Sequence, residues 1–342
     1  MKKIVIIGAG AMGSAFVVPC ADNSHEVFLV GSFLEDDLIN EINKLGNFHP
    51  VLKCQLPKEV KVIKFSEFIN EKIKEIDLLV VGVSSKGIDW IGKEISNFYS
   101  KKTNILLLTK GLTIIDNQFE TLAEKLKKIL KNYNIDNPKI SAVGGPCLAN
   151  GLANKINSSV VLANENIEIV KDIGNIISTN YYSTEYSNDL IGVEVCAAIK
   201  NLYSMIIGAS EGLCSDKAKE ETKKRYFLNT AASLMYKSIS EMVYFTKKLN
   251  GQENTVYGLA GLGDLYVSSA GGRNSKMGKL LGDGNNYLDA KEKYMKNDTV
   301  EGAELIFEIG EKILNEFDRK KIPLMMALID TIKENKKLKI SW

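Results

Sequence analysis

An apolar run from Ile4 to Ile7 stops at Gly8 and opens the spacing Gly8-x-Gly10-x-x-Gly13, and no other stretch restricts the fold of this chain so strongly. Ile4-Val-Ile-Ile7 reads as a buried parallel strand, and Ser14-Ala-Phe-Val-Val18 beyond the glycines reads as the start of a helix. Each glycine answers a different steric demand. Gly8 permits the tight turn from strand to helix, Gly10 lets backbone amides approach a pyrophosphate, and Gly13 lets the helix lie close on the strand. The helix N-terminus then faces the anion, where its orphan amides and its dipole favour negative charge. The stretch predicts a dinucleotide pocket lined by Gly8, Gly10, Ala11, Met12 and Gly13.

Glu26 to Val30 predicts the second strand. NAD-specific folds carry an acid near its end to hold the ribose 2′-hydroxyl, whereas this chain reads Gly31-Ser32-Phe33. No arginine stands ready for a 2′-phosphate either, so NAD and NADP both remain open, with Ser32 at the ribose position. The acids Glu35, Asp36 and Asp37 read as the polar start of a helix, and residues from about 34 to 57 otherwise read as irregular. Further strands are expected at Val60–Ile63, Asp77–Val83, Asn104–Thr109, Ile140–Val143, Ser159–Leu162 and Tyr181–Thr184, with helices over about 118–132 and 167–177. Ser84-Ser-Lys-Gly87 and Lys110-Gly111 follow two of the most apolar strands at their carboxyl ends, where ligands of open α/β sheets lie.

Beyond Asp189 the pattern turns to helical periodicity. The expected fold is therefore α/β, a Rossmann-type parallel sheet over residues 1–188 followed by an all-α domain over 189–342. Gly192 to Gly208 is apolar nearly all round, which marks a helix buried in protein. Lys200 and Asn201 stand in the middle of it. Burying an ammonium is costly, so Lys200 is a functional candidate, against the alternative that it snorkels or pairs with Glu194. Residues 256–265 are too glycine-rich for a helix interior, and Asp264 there reads either as a ligand-facing acid or as an N-cap. In Ala270-Gly-Gly-Arg-Asn-Ser-Lys-Met-Gly278, Arg273 and Asn274 enter a helix from a glycine-rich loop, and a guanidinium suits bidentate phosphate contact. Glu301 falls in the first turn of another amphipathic helix.

Forty-four basic against 42 acidic residues give a net charge of +2, too balanced for a nucleic-acid binder that depends on a basic face. The five cysteines are an odd set without Cys-x-x-Cys or metal-ligand spacing, as expected of reduced thiols in a cytoplasmic protein that holds no metal. Met1-Lys-Lys leads straight into the first strand, and no apolar run reads as long enough to span a bilayer, so neither a signal peptide nor a membrane partner is expected. His25 and His49, the only histidines, read as structural or solvated. A dehydrogenase built this way must exchange its hydroxyl proton through another group.

The order of these motifs resembles the NAD(P)-dependent glycerol-3-phosphate dehydrogenase family over essentially the whole chain. The resemblance is carried by Gly8-Ala-Gly-Ala-Met-Gly13, Thr109-Lys-Gly111, Gly145-Pro146, Gly192-Val-Glu194 with Ala198-Ile-Lys-Asn201, Gly258-Leu-Ala-Gly-Leu-Gly-Asp-Leu265, Arg273-Asn274 and Val300-Glu-Gly302. It implies a second domain like the C-terminal domain of 6-phosphogluconate dehydrogenase. The implied reaction is reversible hydride transfer between glycerol 3-phosphate and dihydroxyacetone phosphate, supplying glycerol 3-phosphate for phospholipids. By the same resemblance Lys200 is the proton acceptor, and Lys110 contacts cofactor and substrate. Asn201, Asp264, Gly272, Arg273 and Asn274 are substrate contacts, Arg273 and Glu301 lie near the dinucleotide, and Gly145, Cys147 and Ala149 form a loop facing substrate and nicotinamide. The implied partners are a small phosphorylated substrate, NAD or NADP, and a second copy in a homodimer. Departures cluster around the substrate: Gly145-Pro-Cys-Leu-Ala-Asn-Gly151 lacks the family's aromatic and acid, Ser84-Ser85 replaces a proline-containing turn, and Gly272 stands where serine is common. The alternatives are a dehydrogenase of another polyol phosphate or of a hydroxyacid, and a dinucleotide-sensing protein without catalysis.

Overall fold

The structure, a computed structural model, describes residues 1–71, 73, 75–215 and 223–341. The chain divides into two compact units, Met1–Lys110 with Thr121–Leu190, and Gly111–Glu120 with Ile191–Trp342. Residues 111–120, inside the span read as the first domain, thus group with the second unit.

The strands are β1 Lys3–Ile7, β2 Glu26–Val30, β3 Phe48–His49, β4 Cys54–Gln55, β5 Lys61–Ile63, β6 Leu78–Val81, β7 Asn104–Leu107, β8 Leu112–Ile115, β9 Gln118–Thr121, β10 Lys139–Gly144, β11 Ser158–Ala163 and β12 Tyr182–Ser187. Eight of them form the sheet of the first unit in the order β12-β11-β10-β7-β6-β1-β2-β5. From β5 to β10 every pairing is parallel, with Ile4 opposite Val27 on one side and Leu78 on the other. Ile4, Val5, Ile6 and Ile7 are wholly buried, as a strand covered on both faces must be. β11 runs antiparallel to β10, and β12 is parallel to β11. The chain between β10 and β11 holds only a five-residue helix, too short a crossover to return it in the same direction. Strand periodicity is the same in either direction, which is why this reversal is invisible in sequence.

Helices α1 Ala11–Asp22, α2 Asp36–Lys44, α3 Phe65–Asn70, α4 Ile88–Ile95, α5 Leu122–Asn132, α6 Ala149–Ala153 and α7 Ile167–Ile177 complete this unit. The stretch read as irregular contains α2, which buries Ile39 and Ile42 three residues apart among charged neighbours. The helix expected from 118 begins only at Leu122. Thr121 caps it, its hydroxyl accepting from the Glu124 amide while the Glu124 carboxylate accepts from the Thr121 amide.

The second unit is helical: α8 Leu190–Leu213, α9 Lys223–Lys248, α10 Glu253–Tyr257, α11 Asp264–Ser269, α12 Arg273–Gly282, α13 Tyr287–Tyr294, α14 Glu301–Glu316 and α15 Pro323–Lys333. α8 corrects one expectation, since by length and composition it could cross a membrane. Its most apolar window is 94 % buried inside the protein, so it serves as a core helix. Residues 259–263, expected to be non-helical, form a wide turn in which the Gly263 amide reaches the Gly258 carbonyl at 3.2 Å. The glycines permit it, because a Cβ at Gly261 would collide with the Val256 backbone.

Strands β8 and β9 pair as a hairpin that packs on α14. Phe119 from it meets Phe317 edge-on at 5.8 Å, and Phe317 stacks on Phe245 of α9 at 4.5 Å. The buried Lys312 amine donates to the Asn117 carbonyl at 2.5 Å and its side-chain oxygen at 3.3 Å, pairs with Glu316, and lies 5.4 Å from the Phe119 ring centre. Elsewhere in this unit the Glu241 carboxylate accepts from the Leu324 and Met325 amides at the start of α15, at 2.7 and 3.0 Å, and from the Tyr203 hydroxyl at 3.2 Å. Burial dominates its titration and pushes the carboxyl up to about 7.

Candidate active site

In the first unit the sequence-expected residues line the carboxyl edge of the parallel strands. Gly8 follows β1, Ser32 follows β2, Lys110 follows β7 and Gly145 follows β10. Gly8 has φ +113°, and a Cβ there would strike the Gly82 backbone beyond β6. A Cβ at Gly13 would strike the Gly8 carbonyl, so α1 lies as close on β1 as the spacing demands. Gly10 caps α1 in extended backbone without a side-chain bond, and the nearest atom to a Cβ placed on it is a Glu35 oxygen 4.0 Å away. The amides of Ala11, Met12 and Gly13 therefore open the first turn of α1, where an intrahelical partner is lacking by construction. This is a fitting cradle for a dinucleotide pyrophosphate.

The Ala9 peptide between the glycines is held at both ends. Its amide donates to Glu35 at 3.0 Å, while its carbonyl accepts from Ser14 Oγ at 2.9 Å and from His49 Nε2 at 3.0 Å. His49 is wholly buried and accepts the Leu52 amide on Nδ1 at 3.1 Å, which leaves Nε2 to carry the proton. Lys110 is half-buried, and the preceding Thr109 hydroxyl anchors the turn on the Val83 carbonyl at 2.7 Å. Gly145, with φ +126°, follows β10 and leads to the half-buried Cys147 and the first residue of α6, Ala149.

In the second unit Lys200 and Asn201 on α8 are 6 % and 7 % exposed, and Asp264 on α11 is 2 % exposed. Lys200 Nζ pairs with Asp264 Oδ1 and donates to Ser268 Oγ at 2.9 Å. A buried amine is tolerated when a carboxylate and a hydroxyl accept its hydrogen bonds, and both do so here. The structure thus brings Lys200 and Asp264 into contact: the acid that the sequence also allowed as a plain cap pairs with the lysine.

A second thread of polar contacts starts one residue later. Asn201 Nδ2 donates to Glu301 Oε2 at 3.0 Å, and Asn201 Oδ1 accepts from Asn274 Nδ2 at 3.2 Å. Asn274 Oδ1 in turn accepts the Gly302 amide at 2.9 Å, and Arg273 Nη2 reaches Glu301 Oε1 at 3.2 Å. The structure so joins Asn201, Arg273, Asn274 and Glu301, from α8, α12 and α14. Gly272, with φ +101° and open space where a Cβ would go, admits the chain to α12. Arg273 and Glu301 are about half exposed, so their charges face solvent, while Asn274 is half-buried and Asn201 is buried. A close helix crossing makes this possible, because a Cβ at Gly278 would overlap the Met205 carbonyl and one at Gly302 would lie 2.9 Å from the Asn201 carbonyl.

Sequence reasoning missed Ser268, the bonds of Glu35 to the glycine loop and the clamp by His49. Ser268 lies four residues after Asp264 on one helix face, a signal hidden once the glycine-rich stretch was read as non-helical. Glu35 and His49 fell in the stretch read as irregular. Among the described residues, no group of three or more His, Cys, Asp or Glu side chains is disposed to hold a metal ion.

A family model described as NAD-dependent glycerol-3-phosphate dehydrogenase N-terminus matches residues 3–170, and one described as the C-terminus of the same enzyme matches residues 189–341. The chain is 31 % identical over 318 residues to the NADP(+)-dependent glycerol-3-phosphate dehydrogenase of Archaeoglobus fulgidus, covering 91 % of this chain and 90 % of the relative. It is 28 % identical over 317 residues to a glycerol-3-phosphate dehydrogenase (NAD(P)+) of Clostridium botulinum, covering 92 % and 89 %. In fold it is similar to the crystal structure of glycerol-3-phosphate dehydrogenase from Coxiella burnetii, with a TM-score of 0.81, 23 % identity, and coverage of 98 % of this chain and 96 % of that one.

Proposed function

This chain belongs to the NAD-dependent glycerol-3-phosphate dehydrogenase family, and we propose that it interconverts sn-glycerol 3-phosphate and dihydroxyacetone phosphate with NAD or NADP. One observation carries the reading: a buried lysine amine, held by a carboxylate and a hydroxyl, stands beside an asparagine tied to an arginine-bearing helix start. A sensor that merely bound dinucleotide would gain nothing from the cost of burying that amine.

The glycine turn and the amides of Ala11, Met12 and Gly13 would hold the pyrophosphate, and the residue at position 32 would face the ribose. When bound, NAD(P) supplies the hydride acceptor or donor at C4 of its nicotinamide. In oxidation Lys200 Nζ, as the neutral amine, takes the proton of the C2 hydroxyl and becomes an ammonium, and in reduction that ammonium returns the proton to the ketone oxygen. Asp264 and Ser268 fix the direction in which the amine points. Asn201 orients the substrate, while Arg273 and Asn274 at the start of α12 hold its phosphate, with the helix dipole adding to the attraction. Holding the phosphate end aligns C2 for transfer and spends binding energy on orientation. Lys110 contacts cofactor and substrate, and Gly145, Cys147 and Ala149 form a loop against them. The proposal extends to a cytoplasmic homodimer that feeds glycerol 3-phosphate to phospholipid synthesis. Light scattering checks the dimer.

The test follows NADH or NADPH oxidation optically with dihydroxyacetone phosphate as substrate. Turnover that is lost in Lys200→Ala and kept in the surface variant Lys320→Ala supports the proposal. Turnover on an unphosphorylated oxoacid instead, or dinucleotide binding without turnover on any phosphorylated ketose, would replace it with the hydroxyacid or the sensor reading.

A further inference from the structure

The segment after β2 contains an acid that does not stand where sequence patterns look for one. Glu35 lies three residues beyond Ser32, yet its Oε2 accepts both the Ser32 amide at 2.7 Å and the Ala9 amide at 3.0 Å. The side chain therefore turns back to the end of β2 and onto the glycine loop. Its other oxygen, Oε1, is the atom nearest to a Cβ placed on Gly10. The carboxylate is half-buried and held on one oxygen by two backbone donors, leaving the second oxygen directed along the loop.

In a sheet of this winding the adenosine ribose of a dinucleotide rests at the end of the second strand. We propose that Glu35 selects the cofactor, accepting a hydrogen bond from the ribose hydroxyls of NAD and repelling the 2′-phosphate of NADP. The inference rests on the dehydrogenase reading above and sharpens its choice between the two cofactors. A carboxylate pinned by two amides cannot swing away cheaply, and placing a phosphate dianion against it adds a like-charge contact that disfavours the wrong ligand. The composition of the unit points the same way. The chain's three arginines are Arg225, Arg273 and Arg319, so none of the first 190 residues offers the planar fork that suits a 2′-phosphate. Phe33, 58 % exposed, continues the subsite, with its ring 5.1 Å from Trp90, which itself meets Phe65 at 4.9 Å. That aromatic ladder offers adenine a face on which to stack whichever ribose is attached.

Equilibrium binding of NADH and NADPH to the full-length protein, read from quenching of tryptophan fluorescence or by calorimetry, decides the matter without any turnover. The wild type should bind NADH on the order of tenfold more tightly than NADPH or better. Glu35→Gln, which keeps an acceptor oxygen for the two amides and removes the charge, should bring the ratio to within about threefold, mainly by tightening NADPH. Phe33→Ala should weaken both and leave the ratio alone. A wild type that prefers NADPH would show that Lys64, which follows β5 at the same sheet edge, outweighs the acid, and would overturn the inference. So would a ratio unchanged in Glu35→Gln, which would mark the carboxylate as a loop tether only. Either result leaves the dehydrogenase reading standing, whereas a wild type that binds neither nucleotide overturns both.

Discussion

Ser268 accepts a hydrogen bond from Lys200 Nζ at 2.9 Å, and one helical turn earlier Asp264 pairs with the same amine. The hydroxyl thus fixes the direction of the amine, while the carboxylate supplies the opposing charge. Removing one such bond costs about 1 kcal/mol. Ser268→Ala should therefore lower kcat about three- to tenfold while leaving the Kd for NADH unchanged, and Ser268→Thr, which keeps the hydroxyl, should recover most of the loss. Equal rates in the wild type and the alanine variant would remove Ser268 from the machinery.

Arg273 and Glu301 form a half-exposed pair, and pairs of that kind contribute no more than about 1 kcal/mol to stability. Their value is expected in substrate binding, where a lysine lacks the planar fork of a guanidinium. Arg273→Lys should raise the KM for dihydroxyacetone phosphate about tenfold and leave the unfolding midpoint within about 1 °C. A fall in stability with unchanged KM would assign the arginine to structure.

Glu241 makes a prediction about pH. Its carboxyl is raised from 4.5 to about 7 in the folded protein, so over that interval the folded state binds the proton more tightly than the unfolded chain does. The stabilisation linked to this proton is full below about 4.5 and is lost as pH rises through about 7. Its size is about 3 kcal/mol. Glu241→Gln should therefore gain on the wild type between pH 5 and pH 8 in chemical denaturation, by about that amount. A difference independent of pH would show that the carboxyl titrates normally.

Gly278 permits α12 to meet α8, since a Cβ there would overlap the Met205 carbonyl. Gly278→Ala should cost about 2–4 kcal/mol despite alanine's better helix propensity, because backbone must move to admit the methyl group. Gly271, in open space, is the control: Gly271→Ala should stay within about 0.5 kcal/mol. If both substitutions are neutral, the crossing tolerates more separation than the structure implies.

The sheet and the glycine turn were legible because period, spacing and steric need coincide there. β2 and α7 begin and end where periodicity places them, and β1 starts one residue earlier than expected. The site in the helical unit was legible as separate residues, since an amine in an apolar helix and an arginine at a helix start are local signals. The threads that join them were not. The pairing of Lys200 with Asp264 and Ser268 links residues more than sixty positions apart, and the Asn201–Glu301 bond spans a hundred. The direction of β11 was likewise hidden. The acids at the start of α2 were legible as a polar helix opening, but the body of α2 and the turn of Glu35 back onto the glycine loop were not, in that short amphipathic pieces among glycine, lysine and acid residues carry too few apolar positions to declare a period.

The hairpin of β8 and β9 has a practical corollary for anyone who would express the halves separately. A gene cut after codon 188 leaves Phe119 on one polypeptide and its edge-on partners Phe245 and Phe317 on the other, and strips Lys312 of the carbonyl it holds. The N-terminal product would carry two orphaned strands, and the C-terminal product would display an unroofed aromatic cluster, so both should come out as insoluble or self-associating material. Grafting residues 111–120 onto the helical fragment by circular permutation is the rearrangement that restores an intact half.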